Sequence, residues 1–432
     1  MKIAIVGGGF VGLTSACVLA ESGHNILLIE ENKDKLFQIK EGNPPFFEVG
    51  LQELLDKGLK SKMVSPIDWQ SVLKTDAEIG VVCVGTPSKN DGSLDLQYVE
   101  EAVFQLAEKL EDEALIVIKS TVLPGTSRAL QEKLRTRGLS QRIAMVPEFL
   151  REGTAVADAT HPDRVVIGVT DEQDRSLLAR AFKSPGTEIV FTTPYNAESV
   201  KYFTNAFLAT CISFTNEMFS LLNQDPECCY EEILSGWHAD RRFQATDHGR
   251  VGLLSYLKPG FGFGGSCFPK DLRALNSALQ SIHPTGNLIS SVIMRNHSAL
   301  TETSEWIAQS VKKSDSILLL GAAFKEATDD TRESPAIGLM NELQSKGFRV
   351  SWHDLHIGDM DLETDATRVI DLSDQKFEHI VLCNNEPFYF EYLKGFHDMK
   401  LRSMISVYAI RYQEQIEGYR WLTPRKGSNA EF

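Results

Sequence analysis

A chain of 432 residues, 42% hydrophobic and 24% charged, has the length and balance for two or three domains with sizeable cores. Its net charge of -15 argues against a nucleic-acid partner or an anionic membrane, and its longest apolar runs are too short to span a bilayer. Seven scattered cysteines do not read as a disulfide framework and show no zinc-ligand spacing, so no metal is expected, and with no signal-peptide pattern the expected compartment is the reducing cytoplasm.

Short apolar runs alternate with helical stretches through the first half, the pattern of a parallel sheet covered on both faces. The spacing predicts strands at Lys2–Val6, Asn25–Glu30, Glu78–Gly85, Ala114–Ser120, Arg142–Pro147 and Arg164–Gly168, with an edge strand at Thr187–Pro194. A long helix is expected from Ala197 to about Leu222, then a polar, Gly-rich region over Ser235–Asp271, then a second long helix from Thr285 to about Lys312. The strand–helix rhythm restarts with strands at Ser316–Gly321, Arg349–Asp354, His379–Asn384 and Met404–Ala409, and a helix near Pro335–Lys346. The fold class is therefore α/β: two Rossmann-like, doubly wound parallel-sheet domains joined by a central helical region. The expected domains are residues 1–195, 196–312 and 313–432.

Directly after the first strand, Gly7-Gly8-Gly9-Phe10-Val11-Gly12 fits G-x-G-x-x-G at the start of a helix. Gly7 suits the tight turn, Gly9 lets the backbone approach a pyrophosphate, and Gly12 permits close helix–strand packing. The helix N-terminus adds free amides and positive potential. Glu30 ends the second strand, where a carboxylate accepts ribose hydroxyls and repels a 2′-phosphate, so NAD is favoured over NADP. Thr86 and Thr121 follow two further strand ends, where a threonine more often caps a helix than touches a ligand.

The run Pro259 to Asp271 is the most informative for chemistry. Glycines 260, 262, 264 and 265 allow close backbone approach to a ligand, and the loop ends at Cys267 with Lys270 and Asp271 behind it. Cationic neighbours and backbone dipoles favour a nucleophilic thiolate. The other six cysteines read as small apolar side chains. Glu198, Lys201 and Asn205 share one helix face, which on its own reads as a solvated stripe. Glu148 and Glu152 stand at another strand end, and Lys325 with Arg332 marks a strand–turn–helix unit suited to a nucleotide diphosphate.

Taken in order, these motifs resemble the UDP-glucose/GDP-mannose dehydrogenase family over almost the whole chain. They are the glycine loop, Val84-Gly85-Thr86-Pro87, Lys119-Ser120-Thr121, Pro147 to Gly153, Glu198 with Lys201 and Asn205, Phe263 to Asp271, and Phe324-Lys325 through Thr328 to Pro335. The resemblance implies a nucleophile at Cys267, with Lys201, Asn205 and Asp271 as its catalytic company and Thr121 and Glu148 near the water and sugar. It implies NAD contacts from Gly7, Gly9, Phe10, Val11, Gly12, Glu30, Lys35, Thr86, Thr121, Glu152 and Arg332. Nucleotide-sugar contacts fall to Glu148, Phe149, Leu150, Lys201, Asn205, Lys325 and the Phe261–Gly265 backbone (Phe261, Gly262 and Gly264 among them), and to Arg250 supplied across a homodimer. Ser406 to Arg411 departs from the family, lacking the aspartate of its usual Asp-x-Arg-Asn.

The implied reaction is an NAD-dependent, four-electron oxidation of a sugar C6 alcohol through a cysteine thiohemiacetal and thioester. UDP-glucose is taken first, on Cys267 to Asp271 and Pro162-Asp163-Arg164. Tyr256 to Phe263 is closer to GDP-mannose members, so GDP-mannose or another UDP-sugar stays open. Outside this reading stand a two-electron Rossmann dehydrogenase, yielding one NADH per product, and a binding protein without turnover.

Overall fold

Strand β1 (Lys2–Val6) shows why these apolar runs become a sheet. Ile3 and Ile5 enter a core with Leu13, Leu28 and Leu55, while Ala4 and Val6 enter a second core with Val82, Val103 and Ile116. Successive side chains point to opposite faces, so a strand covered on both sides must be apolar throughout. The computed structural model describes residues 1–222, 230–240, 252–358, 362–373, 377–395, 406–409 and 420–422. It divides into two units, Met1–Thr204 and Asn205–Phe432, with the boundary inside a long helix.

In the first unit β1 is followed by α1 (Phe10–Glu21), β2 (Asn25–Ile29), α2 (Lys33–Lys40), α3 (Leu51–Lys60), β3 (Val64–Ile67), β4 (Ile79–Val82) and α4 (Gln97–Lys109). Next come β5 (Leu115–Ile118), α5 (Thr126–Thr136), β6 (Arg142–Met145), α6 (Ala155–Thr160), β7 (Arg164–Gly168), α7 (Glu172–Ala181) and β8 (Glu188–Thr192). The sheet order is β3-β2-β1-β4-β5-β6-β7-β8. Strands β3 to β6 run parallel, whereas β7 meets β6 antiparallel through Met145 and Gly168 and carries β8 parallel to itself. The order reverses at β1, between β2 and β4, and such a switch point opens a crevice at the carboxyl ends of the strands. Strand β3 escaped the sequence reading because Pro66 interrupts a four-residue run, a feature tolerated at a sheet edge.

Helix α8 (Pro194–Leu222) starts three residues before the expected Ala197, with proline in the first turn, where its missing amide costs nothing. The second unit continues with α9 (Tyr230–His238), a 3-10 turn (Gly252–Tyr256), α10 (Phe268–Gln280) and α11 (Leu288–Ser310). Then follow β9 (Ser316–Leu320), α12 (Pro335–Ser345), β10 (Arg349–His353), β11 (Thr367–Arg368), β12 (His379–Leu382), α13 (Pro387–Lys394), β13 (Ser406–Ala409) and β14 (Arg420–Leu422). Its sheet is parallel, in the order β11-β10-β9-β12-β13-β14. Helix α10 begins at the residue after Cys267, inside a stretch that glycine and proline had made look like loop. No helix among the described residues is long and apolar enough to cross a membrane.

Candidate active site

The glycine loop lies at the carboxyl end of β1. Gly7 adopts a φ of 102°, in the left-handed region, and its amide donates to the Ile29 carbonyl at 2.8 Å. A Cβ on Gly12 would lie 1.8 Å from the Gly7 carbonyl oxygen, so only glycine lets α1 start this close to β1. A Cβ on Gly9 would meet nothing within 4 Å. The space over Gly9 is thus left open by the protein, as a cradle for a pyrophosphate requires. Glu30 is buried beside the loop, its Oε2 accepting the Gly8 amide at 2.6 Å and its Oε1 the Asn32 amide at 2.7 Å. The Phe10 ring lies 5.4 Å from Phe46, and Val11 packs against the core. Lys35 is exposed in the first turn of α2, where its amide donates to the Asn32 side chain, and Thr86 is buried past β4.

At the ends of β5 and β6, Thr121 is partly exposed, and Ser120 Oγ donates to the Val84 carbonyl at 2.7 Å. Glu148 is buried, with Oε1 accepting from Lys201 Nζ at 2.5 Å and Oε2 from the Leu150 amide at 2.7 Å. Burial pushes its carboxyl up, yet the charge and hydrogen bond of Lys201, the Leu150 amide and the charge of Lys119 hold it below the usual carboxylate range. Phe149 lies beneath the Arg164 guanidinium at 4.2 Å from its ring centroid. Glu152 is buried, and the turn it occupies is fixed by Glu48, whose oxygens accept the Gly153 and Ala155 amides at 2.7 and 2.9 Å. Nothing in the sequence marked Glu48, because its partners lie a hundred residues away.

Helix α8 overturns the solvated-stripe reading, since Glu198, Lys201 and Asn205 are all buried. Glu198 serves the backbone, accepting the Gly125 and Ser127 amides at 2.6 and 2.7 Å at the start of α5. Burial raises its carboxyl pKa against those bonds.

In the second unit, Asn205 Nδ2 donates to Asp271 Oδ2 at 2.7 Å, and Lys270 Nζ donates to Asp271 Oδ1 at 2.6 Å. Cys267 occupies the N-cap of α10, and its carbonyl accepts the Asp271 amide at 2.9 Å. It is partly exposed, whereas the other described cysteines, 17, 83, 211 and 383, are buried. The preceding loop is held by Asn216, which accepts the Gly260 amide at 2.8 Å, and by Asn296, which brackets Phe263 through its amide and carbonyl at 2.7 and 3.0 Å. Gly262 has a φ of 107°, and a Cβ on Gly264 would lie 2.2 Å from the Glu333 carbonyl. The Phe261 ring belongs to the core, so this residue offers a ligand only its backbone. Lys325 is partly buried, and Arg332 is exposed with its guanidinium forked onto Asp330 at 2.7 and 2.8 Å. Arg250 and Arg411 lie outside the described residues, as do Cys228 and Cys229.

A glycine loop on the strand where a doubly wound sheet reverses its order, with an acid fixed at the end of the next strand, defines a dinucleotide-binding protein. The chain belongs to the UDP-glucose/GDP-mannose dehydrogenase family: that family's NAD binding domain matches residues 1–185, its central domain 195–298 and its UDP binding domain 318–404. It is 35% identical over 358 residues to a UDP-glucose 6-dehydrogenase of Rickettsia conorii, covering 82% of this chain and 81% of that one. It is 32% identical over 367 residues to a GDP-mannose 6-dehydrogenase of Pseudomonas savastanoi pv. phaseolicola, covering 83% and 81%. A solved UDP-glucose dehydrogenase from Pyrobaculum islandicum superposes with a TM-score of 0.84 at 30% identity over 99% of this chain and 98% of that one. The protein is an NAD-dependent oxidoreductase acting on nucleotide sugars.

Proposed function

We propose that this enzyme oxidises the C6 alcohol of UDP-glucose to the carboxylate, with Cys267 holding the half-oxidised sugar covalently. The observation that carries the reading is the position of Cys267, a partly exposed thiol at the N-terminus of a 13-residue helix, where free amides favour an anion. The residues at the glycine loop fit NAD, which when bound accepts a hydride in each of the two oxidations. Gly7, Gly9, Phe10, Val11 and Gly12 would hold its pyrophosphate, and Glu30, Lys35, Thr86, Thr121, Glu152 and Arg332 its remaining groups.

The chain's own groups supply the rest. A water held with Glu148, Thr121 and the Lys201 ammonium takes the alcohol proton as the first hydride leaves. The Cys267 thiolate adds to the aldehyde carbon, and the oxygen takes a proton to give a thiohemiacetal. Loss of a proton and the second hydride leaves a thioester, which water cleaves to carboxylate and thiol. The balance is one alcohol, one water and two NAD giving one carboxylate, two NADH and three protons. Lys201 and Asn205 would stabilise the oxyanions as preorganised donors, and Asp271, itself fixed by Asn205 and Lys270, would orient the hydrolytic water. Phe149, Leu150, Lys325 and the Phe261 to Gly265 backbone would hold the nucleotide sugar. The reading carries with it three domains split at 195/196 and 312/313, and a cytoplasmic homodimer in which Arg250 is shared between subunits. The UDP binding domain matched over 318–404 supports a nucleotide-sugar substrate.

The test is a panel of UDP- and GDP-sugars scored for NADH formed per sugar consumed. Two NADH per UDP-glucose is expected. One per sugar would sink the four-electron scheme, and exclusive turnover of GDP-mannose would overturn the substrate. The two glycines give a second test. Gly9→Ala meets open space, so unfolding should be unchanged while NAD affinity falls about tenfold or more, roughly 1.4 kcal/mol. Gly12→Ala drives a Cβ onto a carbonyl and should lower stability by about 3 kcal/mol in thermal or denaturant unfolding. Equal stability of the two variants would refute this division of labour.

A further inference from the structure

Three strand ends lie side by side in the first unit, in the order β4, β5, β6. Cys83 follows β4, Lys119 follows β5, and Glu148 stands just past β6. Lys119 is the charged group of this row to which the reaction above gives no task. It is partly buried, and its Nζ has no hydrogen-bond or ion-pair partner among the described residues, lying 5.6 Å from the centroid of the Phe182 ring. Lys119 and Glu148 line one cleft of about 360 Å³. An ammonium carried on a stiff strand end, without a carboxylate of its own and sharing a cleft with a buried one, acts through its field.

We propose that Lys119 is a positioning residue, whose ammonium joins Lys201 in keeping Glu148 ionised so that Glu148 can hold the Lys201 Nζ in place. The inference rests on the proposed roles of Lys201 and Glu148. Burial drives Glu148 towards its neutral form, and a neutral Glu148 would release the hydrogen bond that fixes Lys201. Lys119 opposes that drive without occupying either oxygen, both of which are already taken by Lys201 and the Leu150 amide. Burial also lowers the Lys119 pKa, with Glu148 pulling it up and Lys201 pushing it down. The Cys83 thiol is pushed up to about 12 and stays protonated, so it adds no competing charge. Of the other charged groups along the cleft, Arg151 is engaged with Asp158, Arg164 lies over Phe149, and His161, Asp163 and Lys183 are solvent-exposed.

Lys119→Met should raise the Glu148 pKa, so the acid limb of the pH profile of kcat/KM moves upward. A shift of about one pH unit is expected, a tenfold loss on the acid side. Lys119→Arg should return the limb to its original place, because the charge is restored. Should Met unfold the domain, Lys119→Gln takes the same measurement. A loss of equal size at every pH, as a packing defect gives, or an unmoved limb, overturns the proposal. The Glu148 carboxylate infrared band, assigned by difference against Glu148→Gln in the full chain without substrate, should titrate higher in Lys119→Met. That readout needs no turnover: an inactive sugar panel would end the functional reading, whereas an unshifted band ends this one.

Discussion

Cys267→Ala is expected to lower carboxylate formation at least about 10³-fold while leaving NAD affinity and thermal unfolding close to those of the parent protein. The loss follows from the sequence of steps. Without the thiol, the aldehyde made by the first hydride transfer has no covalent hold, and it returns to alcohol or escapes before the second oxidation. Cys17 and Cys83 cannot substitute, because both are buried thiols pushed up to about 12, leaving roughly one part in 10⁴ as thiolate at pH 8. Cys267→Ser should form an ester in place of the thioester, which hydrolyses more slowly, so the sugar stays attached and a mass increase is seen on the intact chain. The measurements are NADH per sugar, product analysis for the uronate, and intact mass. Full uronate formation by Cys267→Ala would remove the cysteine from the mechanism.

The parts of the fold that were legible in the sequence are those where one physical demand dominates. β1, β2 and β4 to β6 are short apolar runs because each is covered on both faces, and the glycine loop could be read because Gly7 and Gly12 have no alternative residue. β3 and α13 were illegible for opposite reasons: Pro66 hides a strand, and the aromatic run Phe388-Tyr389-Phe390 resembles a strand while forming a helix. Helix α10 was masked by the glycines before it. In the site, residue types gave Cys267, Lys201, Asn205 and Asp271 their candidacy, but not their burial or their pairing. That Asn205 donates to Asp271, and Lys201 to Glu148, depends on separations of 66 and 53 residues. Glu48 and Asn296 left no signal at all, since each acts by accepting backbone amides remote in sequence, which a lone acid or amide does not advertise.

Lys201→Met should be the most damaging substitution to the first unit, since it strands a carboxylate in a dry site. Breaking a buried ion pair from one side costs about 3–5 kcal/mol, because the remaining charge keeps its desolvation penalty and loses its partner. The sign of the pH dependence separates this from a simple packing defect. In the parent protein the Glu148 pKa is depressed, so its contribution to stability is present above the ordinary carboxylate value and fades as pH falls through the depressed one. In Lys201→Met, burial acts against much weaker opposition, Glu148 tends to its neutral form, and acid relieves the variant. The stability gap between the two proteins should therefore be widest at neutral and alkaline pH and close as the solution is acidified. Adding Glu148→Gln to Lys201→Met should recover most of the lost stability, since no buried charge remains, yet recover none of the turnover, since no ammonium faces the reacting oxygen. A gap that is constant across pH, or a double variant no more stable than Lys201→Met alone, would show that the 2.5 Å contact is an incidental neighbour of the site and not the support of its charge.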